Sequence, residues 1–538
     1  MKISVIIFSY FSIISLCSLF AKDNFKKPNF LMILTESHPV STMEAYNGFY
    51  KNINSSQNLN RIARKSTVFL NSFCVNGSSN NSVSSLLTGS HSHANGFNPE
   101  NNTFNFSQEN FVDLLQKEGY ETCLIGRWDL SKIPQYFDDW NILVDSSVKY
   151  NPEFLNIKGK KRIEGYSTDI ITDLALNWLQ KRKSLKPFFL LIQYNGTSYP
   201  WMPAIRHINL FDDQLIPEPL NLFDDFGNKA SPSRYQSMKI QTDLNLKQDL
   251  FFQEDKNPDQ NSTLSQESLS QKNINLMTYE QFSAWSLAWR SSNEAFTREN
   301  NSEQKNTKLK FQRFVKNFLR CINGIDENIG RLEELLSETN RNVFFIYTSS
   351  TGRFLGEHGW FGSKWMYEES FRVPLIINSY LPSISQTIVE TPCQIIDIAP
   401  TILEFSDSKE LINCNGESLL NYISNKDVNQ TDRMFVYFHH NEFPSEHMVA
   451  KHYGLRSPKY KIIHYYQFDE WELFDLINDP NENINLYSSQ AHASVVKEFK
   501  ELILSFRKKY SDKTNVNIMP EEWRKFYRGP EARKKQND

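Results

Sequence analysis

The run "KPNFLMILTES", Lys27 to Ser37, is apolar almost throughout and turns polar at its end. A strand covered on both faces reads this way, and its carboxyl end delivers polar residues to a site. "NLNRIARKS" then predicts a helix and "TVFLNSF" a strand. "FVDLLQKEGYETCLIGRW" reads helix, glycine stop, strand, and "TDIITDLALNWLQKRKSLKPFFLLIQY" repeats that order. "NVFFIYTSSTG" is another buried strand with a polar end. Helices alternating with buried strands predict an α/β sandwich around a largely parallel sheet. Ligands of such sheets sit beyond the carboxyl ends of the strands, so Thr35–Ser37 and Ser349–Gly352 are expected to converge.

From about 212 to 310 the chain is polar with few strand signals, a long insertion into a domain spanning 22–431. Phe311, Phe314, Phe318, Ile322, Ile325, Ile329, Leu332 and Leu336 recur every three or four residues, the core-facing stripe of a helix. Short β-rich runs separated by turns, "RMFVYFHH", "HYGLRSPKYKIIHYY" and "EWELFDL", predict a smaller antiparallel subdomain with a helix over 432–510. A charged tail is expected over 511–538.

Composition changes this picture little. The chain has 538 residues and a formal net charge of −3, without the basic stripe of a nucleic-acid binder. Its first 21 residues, "MKISVIIFSYFSIISLCSLFA", carry one early lysine, an interrupted apolar run and a small residue before "KDN". That pattern predicts a cleaved signal peptide, export to a periplasmic or extracellular space, and no membrane association after cleavage. Cys74, Cys123, Cys321, Cys393 and Cys414 are irregularly spaced without a CxxC pair, so they predict buried thiols rather than a zinc site.

Several motifs, in order, resemble the type I sulfatases of the alkaline phosphatase superfamily. "KPNFLMILTES" resembles their opening strand, "SLLTGSHSHANGF" the segment after the nucleophile, and "GYETCLIGRWDL" the strand bearing a Lys and a His. "YTSSTGRFLGEHGWFGSKWMYEESFRVPLI" resembles the second metal loop, and "ELFDLINDPNENINLY" the C-terminal signature. The likeness is greatest to bacterial exported sulfatases acting on sulfated sugars. It implies hydrolysis of sulfuric esters by a formylglycine nucleophile, a calcium ion held by carboxylates, and Lys and His groups that manage charge and protons.

The matching positions depart from that pattern. Glu36 and Ser37 stand for the family's two metal-binding aspartates, and Ser350 and Thr351 for the Asp and the His or Asn of the second loop. Ser79 takes the formylglycine position, but Asn81 and Val83 replace the Pro and Arg that guide its modification. Arg127 and Asp129 stand for the Lys and His, and Asn195 and Ser198 for another Lys and His. Ser363 falls at a further lysine, with Lys364 beside it, and the sequence leaves open which residue takes that role. A serine without a neighbouring base is a weak nucleophile. Calcium seeks about six to eight oxygens with substantial carboxylate charge.

The expectation is therefore a member of the family that has lost catalysis, holds calcium weakly or not at all, and binds sulfated or acidic carbohydrate. His452 and Arg456, in "HHNEFPSEHMVAKHYGLRSPKYK", are the expected sugar contacts. The alternatives are a hydrolase with an atypical centre, using Glu36, Asp129, Lys364 and Arg127, and a structural partner of an active paralogue.

Overall fold

The computed structural model describes residues 27–252, 268–297, 302–338, 342–379, 387–424, 433–443 and 445–520. The expected signal peptide lies outside them. Among the described residues no helix is long and apolar enough to cross a membrane.

The strands of the main sheet are β1 (Asn29–Ser37), β2 (Thr67–Phe69), β3 (Glu121–Gly126), β4 (Asp139–Leu143), β5 (Glu153–Asn156), β6 (Gly159–Arg162), β7 (Phe188–Gln193), β8 (Val343–Thr351), β9 (Leu375–Ser379) and β10 (Thr387–Val389). Their order is β10-β2-β9-β8-β1-β7-β3-β4-β5-β6. The block β8-β1-β7-β3-β4 is parallel. β9 and the β5–β6 edge run antiparallel. The α/β expectation is thus met.

Alternation along β1 explains why the sheet is covered twice. Phe30, Met32 and Leu34 enter one apolar cluster, while Leu31 and Ile33 enter the other. The first face is packed by α1 (Ser79–Thr88) through Val83, Leu86 and Leu87. The second is packed by α2 (Ser167–Lys181) through Ile170, Ile171, Ala175 and Leu179. After α3 (Tyr279–Thr297), α4 (Glu303–Glu338) serves both clusters. Phe311, Phe314, Phe318 and Ile322 join the first, and Ile325, Ile329, Leu332 and Leu336 the second. The predicted stripe is core, as periodicity requires.

The insertion is more structured than its polarity suggests. Trp285 and Trp289 of α3 pack with Tyr150, Met202 and Phe251 in a small core of their own. Two tryptophans bury enough area to anchor a helix whose Tyr279, Phe282 and Leu287 stay exposed.

The predicted subdomain is an antiparallel sheet, β11 (Val436–His440), β12 (His452–Arg456), β13 (Tyr460–Tyr465) and β14 (Glu470–Asp475), covered by α5 (Ala493–Lys509). Packing continues past residue 511. Asp512 is buried and accepts a 2.6 Å hydrogen bond from the Tyr437 hydroxyl. The Met519 amide donates to the Gln467 carbonyl at 2.7 Å. The chain therefore continues to pack through at least Met519, because a buried carboxylate and an apolar side chain both find partners there.

Candidate functional site

β1 and β8 are adjacent and parallel, with Thr35 opposite Ser349 and Ser37 opposite Thr351. Their polar ends therefore converge as expected. The Ser350 hydroxyl donates to the Glu36 carbonyl at 2.7 Å, and the Thr351 hydroxyl donates to the same oxygen at 2.9 Å. Ser37 Oγ and Thr351 Oγ1 are 3.1 Å apart. All three hydroxyls are engaged with the backbone or with each other.

The amino end of α1 points at this junction. Ser79 Oγ lies 3.0 Å from Ser350 Oγ. Asn76 fixes the entry to the helix: its side-chain oxygen accepts from the Ser78 amide at 2.9 Å, and its NH₂ donates to the His439 carbonyl at 2.6 Å. Gly89, with φ 63°, closes the helix in the left-handed conformation that glycine adopts without a Cβ penalty.

β3 ends in Gly126, where any Cβ would lie 2.1 Å from the Gln193 carbonyl oxygen. This close approach turns the chain so that Arg127 reaches across the strand ends. Arg127 Nη1 donates to Glu36 Oε2, and Arg127 Nε donates to Asp129 Oδ2. One guanidinium thus ties together the two carboxylates nearest the junction. These side chains are 11–19% exposed.

Ser198 accepts a 2.8 Å hydrogen bond from Lys149 Nζ and donates at 2.6 Å to the Asn195 carbonyl, which Lys149 Nζ also contacts. Lys149 is fully buried, and burial lowers its pKa to about 7, with Glu36 and Arg127 pulling in opposite directions. A lysine thus stands at the Asn195–Ser198 turn, supplied from the loop after β4.

Arg353 is likewise buried. It donates to the Phe361 carbonyl at 2.9 Å, and its guanidinium lies 5.1 Å from the Trp201 ring. Burial lowers its pKa, and the charges of Glu36 and Glu446 oppose that. Neither Lys149 nor Arg353 was singled out from the sequence. Nothing in "SSVKY" marks Lys149, and the only sign of Arg353 is its place just after the second metal-loop motif.

Lys364 faces the site from the other side, 3.8 Å from both Glu442 and Glu446. Its φ is 83°, and a Cβ on Gly77 would lie 2.4 Å from its Cα. The Lys364 backbone therefore rests directly on the turn leading into α1. Ser363, half-buried, precedes it. Asn81 of α1 donates to Glu442 at 2.7 Å, joining the helix to the same cluster.

The expected sugar contacts, His452 and Arg456, lie within packed surroundings. His452 is fully buried, stacked on Trp365 with ring centroids 5.3 Å apart, and its Nδ1 donates to the Ala450 carbonyl at 2.7 Å. Arg456 is 7% exposed, 3.3 Å from Glu368 and with its guanidinium over the Phe73 ring. Alternation along β12 puts both side chains on the face packed against the main domain, so they serve that interface.

With this geometry in hand, two comparisons decide the family. A family model described as "Sulfatase" matches residues 28–408. A second, "N-sulphoglucosamine sulphohydrolase, C-terminal", matches 356–509. The chain belongs to the sulfatase family.

The N-acetylglucosamine-6-O-sulfatase of Bacteroides thetaiotaomicron is 35% identical over 500 residues, covering 91% of this chain and 88% of that protein. A solved sulfatase-fold structure in complex with its substrate D-glucosamine-2-N,6-O-disulfate superposes with a TM-score of 0.84 at 34% identity, covering 91% and 99% of the two chains. A phosphonate monoester hydrolase from Silicibacter pomeroyi shares the fold, with a TM-score of 0.64 at 16% identity over 90% and 96% of the chains.

The resemblance implies a calcium ion at the junction of these strands. Here the available donors are the Glu36 and Asp129 carboxylates, both already held by Arg127, and the hydroxyls of Ser37, Ser350 and Thr351, already held by each other and by the Glu36 carbonyl. A set with two carboxylates already paired to one guanidinium and otherwise neutral hydroxyls does not fit calcium, whose sites need several free anionic oxygens.

Proposed function

We propose that this sulfatase-family protein recognises a sulfated or acidic sugar without hydrolysing it. The observation that carries this reading is Arg127 bridging Glu36 and Asp129. A fixed guanidinium there supplies positive charge but no exchangeable ligand position and no proton acceptor. Ser79 Oγ is hydrogen-bonded to another serine hydroxyl, not to a base that would activate it. The cations Arg127, Lys149, Arg353 and Lys364 gather around the strand ends, which favours an anionic ligand. A 6-sulfated glucosamine is the proposed ligand, supported by what the relatives' names say of those proteins. Export follows the N-terminal pattern and is tested by sequencing the mature amino terminus.

The test is to incubate the purified chain with N-acetylglucosamine 6-sulfate, measuring released sulfate and, by calorimetry, binding. Expected are no release above a heat-killed control and saturable binding weakened in Lys364→Ala. Sulfate release, or no binding, overturns the reading. A hydrolase with an altered centre is the second reading, favoured by the buried Lys149 whose pKa lies near neutrality beside Ser198. Release abolished by Lys149→Met is the result that supports it.

A further inference from the structure

Away from the strand ends, three side chains from distant parts of the chain meet at the subdomain boundary. His93 lies in the loop after α1, His439 on β11, and Asp512 just beyond α5. One ligand atom from each lies within 4.8 Å of the others. We propose that this cluster binds zinc through the Nδ1 atoms of His93 and His439 and the Asp512 carboxylate.

The pattern of hydrogen bonds favours metal over a mere polar contact. His93 Nε2 donates to the Tyr510 carbonyl at 3.1 Å, which leaves its Nδ1 as the bare, ligating nitrogen. His439 Nε2 is 3.3 Å from the Tyr466 hydroxyl. Both Nδ1 atoms are buried without a hydrogen-bond partner. Metal-bound histidines carry this arrangement, one nitrogen oriented by an outer partner and the other on the metal.

The spacing of His439 and Asp512 fits. His439 Nδ1 lies 3.4 Å from Asp512 Oδ2. Ligand atoms about 2.1 Å from a tetrahedral zinc stand about 3.4 Å apart. Asp512 is held by the outer donors found around ligating carboxylates: Tyr437 and Arg507 donate to Oδ2 at 2.6 and 3.2 Å, and the Thr514 amide donates to Oδ1 at 2.9 Å. Two imidazoles and one carboxylate suit zinc among the common divalent ions, with water in the fourth position. His91 stacks on His93 with ring centroids 5.4 Å apart, and neither of its ring nitrogens has a hydrogen-bond partner. A metal here would clamp the segment after α5 to both the subdomain sheet and the loop after α1.

The test uses the full chain stripped with chelator and titrated with zinc chloride alone, followed by elemental analysis and thermal unfolding. Expected are about one zinc per chain, a rise in melting temperature with zinc, and affinity at least about tenfold weaker in both His93→Gln and Asp512→Asn. His93 is the half-buried member, so its variant is chosen to remain folded. Glu36→Gln, at the strand ends, serves as the control and leaves uptake unchanged. Uptake well below one per chain, or uptake equal in both variants and wild type, overturns the proposal.

Discussion

The guanidinium of Arg127 donates from Nη1 to the Glu36 carboxylate at the carboxyl end of β1, with both side chains largely buried. Asp129 holds the same guanidinium through Nε. Removing Arg127 leaves the two carboxylates without the guanidinium that bridges them. Arg127→Met is therefore expected to destabilise the protein by about 3 kcal/mol, the low end for a broken buried pair because the groups retain some exposure. Adding Glu36→Gln and Asp129→Asn is expected to restore most of that loss. Urea unfolding of the single and triple variants measures both.

The same bridge bears on calcium. Titration calorimetry is expected to show no calcium site tighter than about the millimolar range, since the remaining donors at the strand ends are neutral hydroxyls. A micromolar site abolished by Glu36→Gln is the contrary result.

Ser79 is expected to stay serine. Its neighbours Asn81 and Val83 lack the Pro and Arg of the resembled motif, and its hydroxyl is tied to Ser350. Peptide mass spectrometry across 78–89, on protein made in a host that converts active sulfatases, is expected to find the unmodified side chain. An aldehyde there removes the basis for a non-hydrolytic reading.

Lys149 predicts a pH dependence whose sign follows from burial. The unfolded chain keeps the lysine proton to about pH 10.4. The folded chain releases it near 7. Between these values the unfolded state binds more protons, so stability rises with pH. Below about 7 the lysine is charged in both states and its burial cost is complete. Relative to Lys149→Met, wild-type stability is expected to be flat below 7 and to rise by up to about 1.4 kcal/mol per pH unit between 7 and 10. Urea unfolding across that range reads the slope directly, and a flat difference rejects it.

His452 gives a prediction of the opposite kind. Its ring is fully buried against Trp365 and Phe438. His452→Ala is expected to cost about 2–3 kcal/mol by leaving a cavity. Glycan affinity per folded molecule should be unchanged. Lost affinity with unchanged melting temperature would return His452 to a sugar-binding role.

The sequence by itself determined the α/β class, the strands with polar ends, the α4 stripe and the positions at which this chain departs from the resembled sulfatases. These are local properties: the alternation in "NFLMIL" encodes two covered faces, and a three-to-four spacing encodes one helical face. The tertiary structure alone decided which distant side chains meet. It put Arg127 between Glu36 and Asp129, brought Lys149 to Ser198, and turned His452 and Arg456 inward. It also gathered His93, His439 and Asp512, which are hundreds of residues apart in part and share no motif. Periodicity records whether a side chain is buried, whereas the identity of its long-range partner is set by how layers stack and loops cross the strand ends.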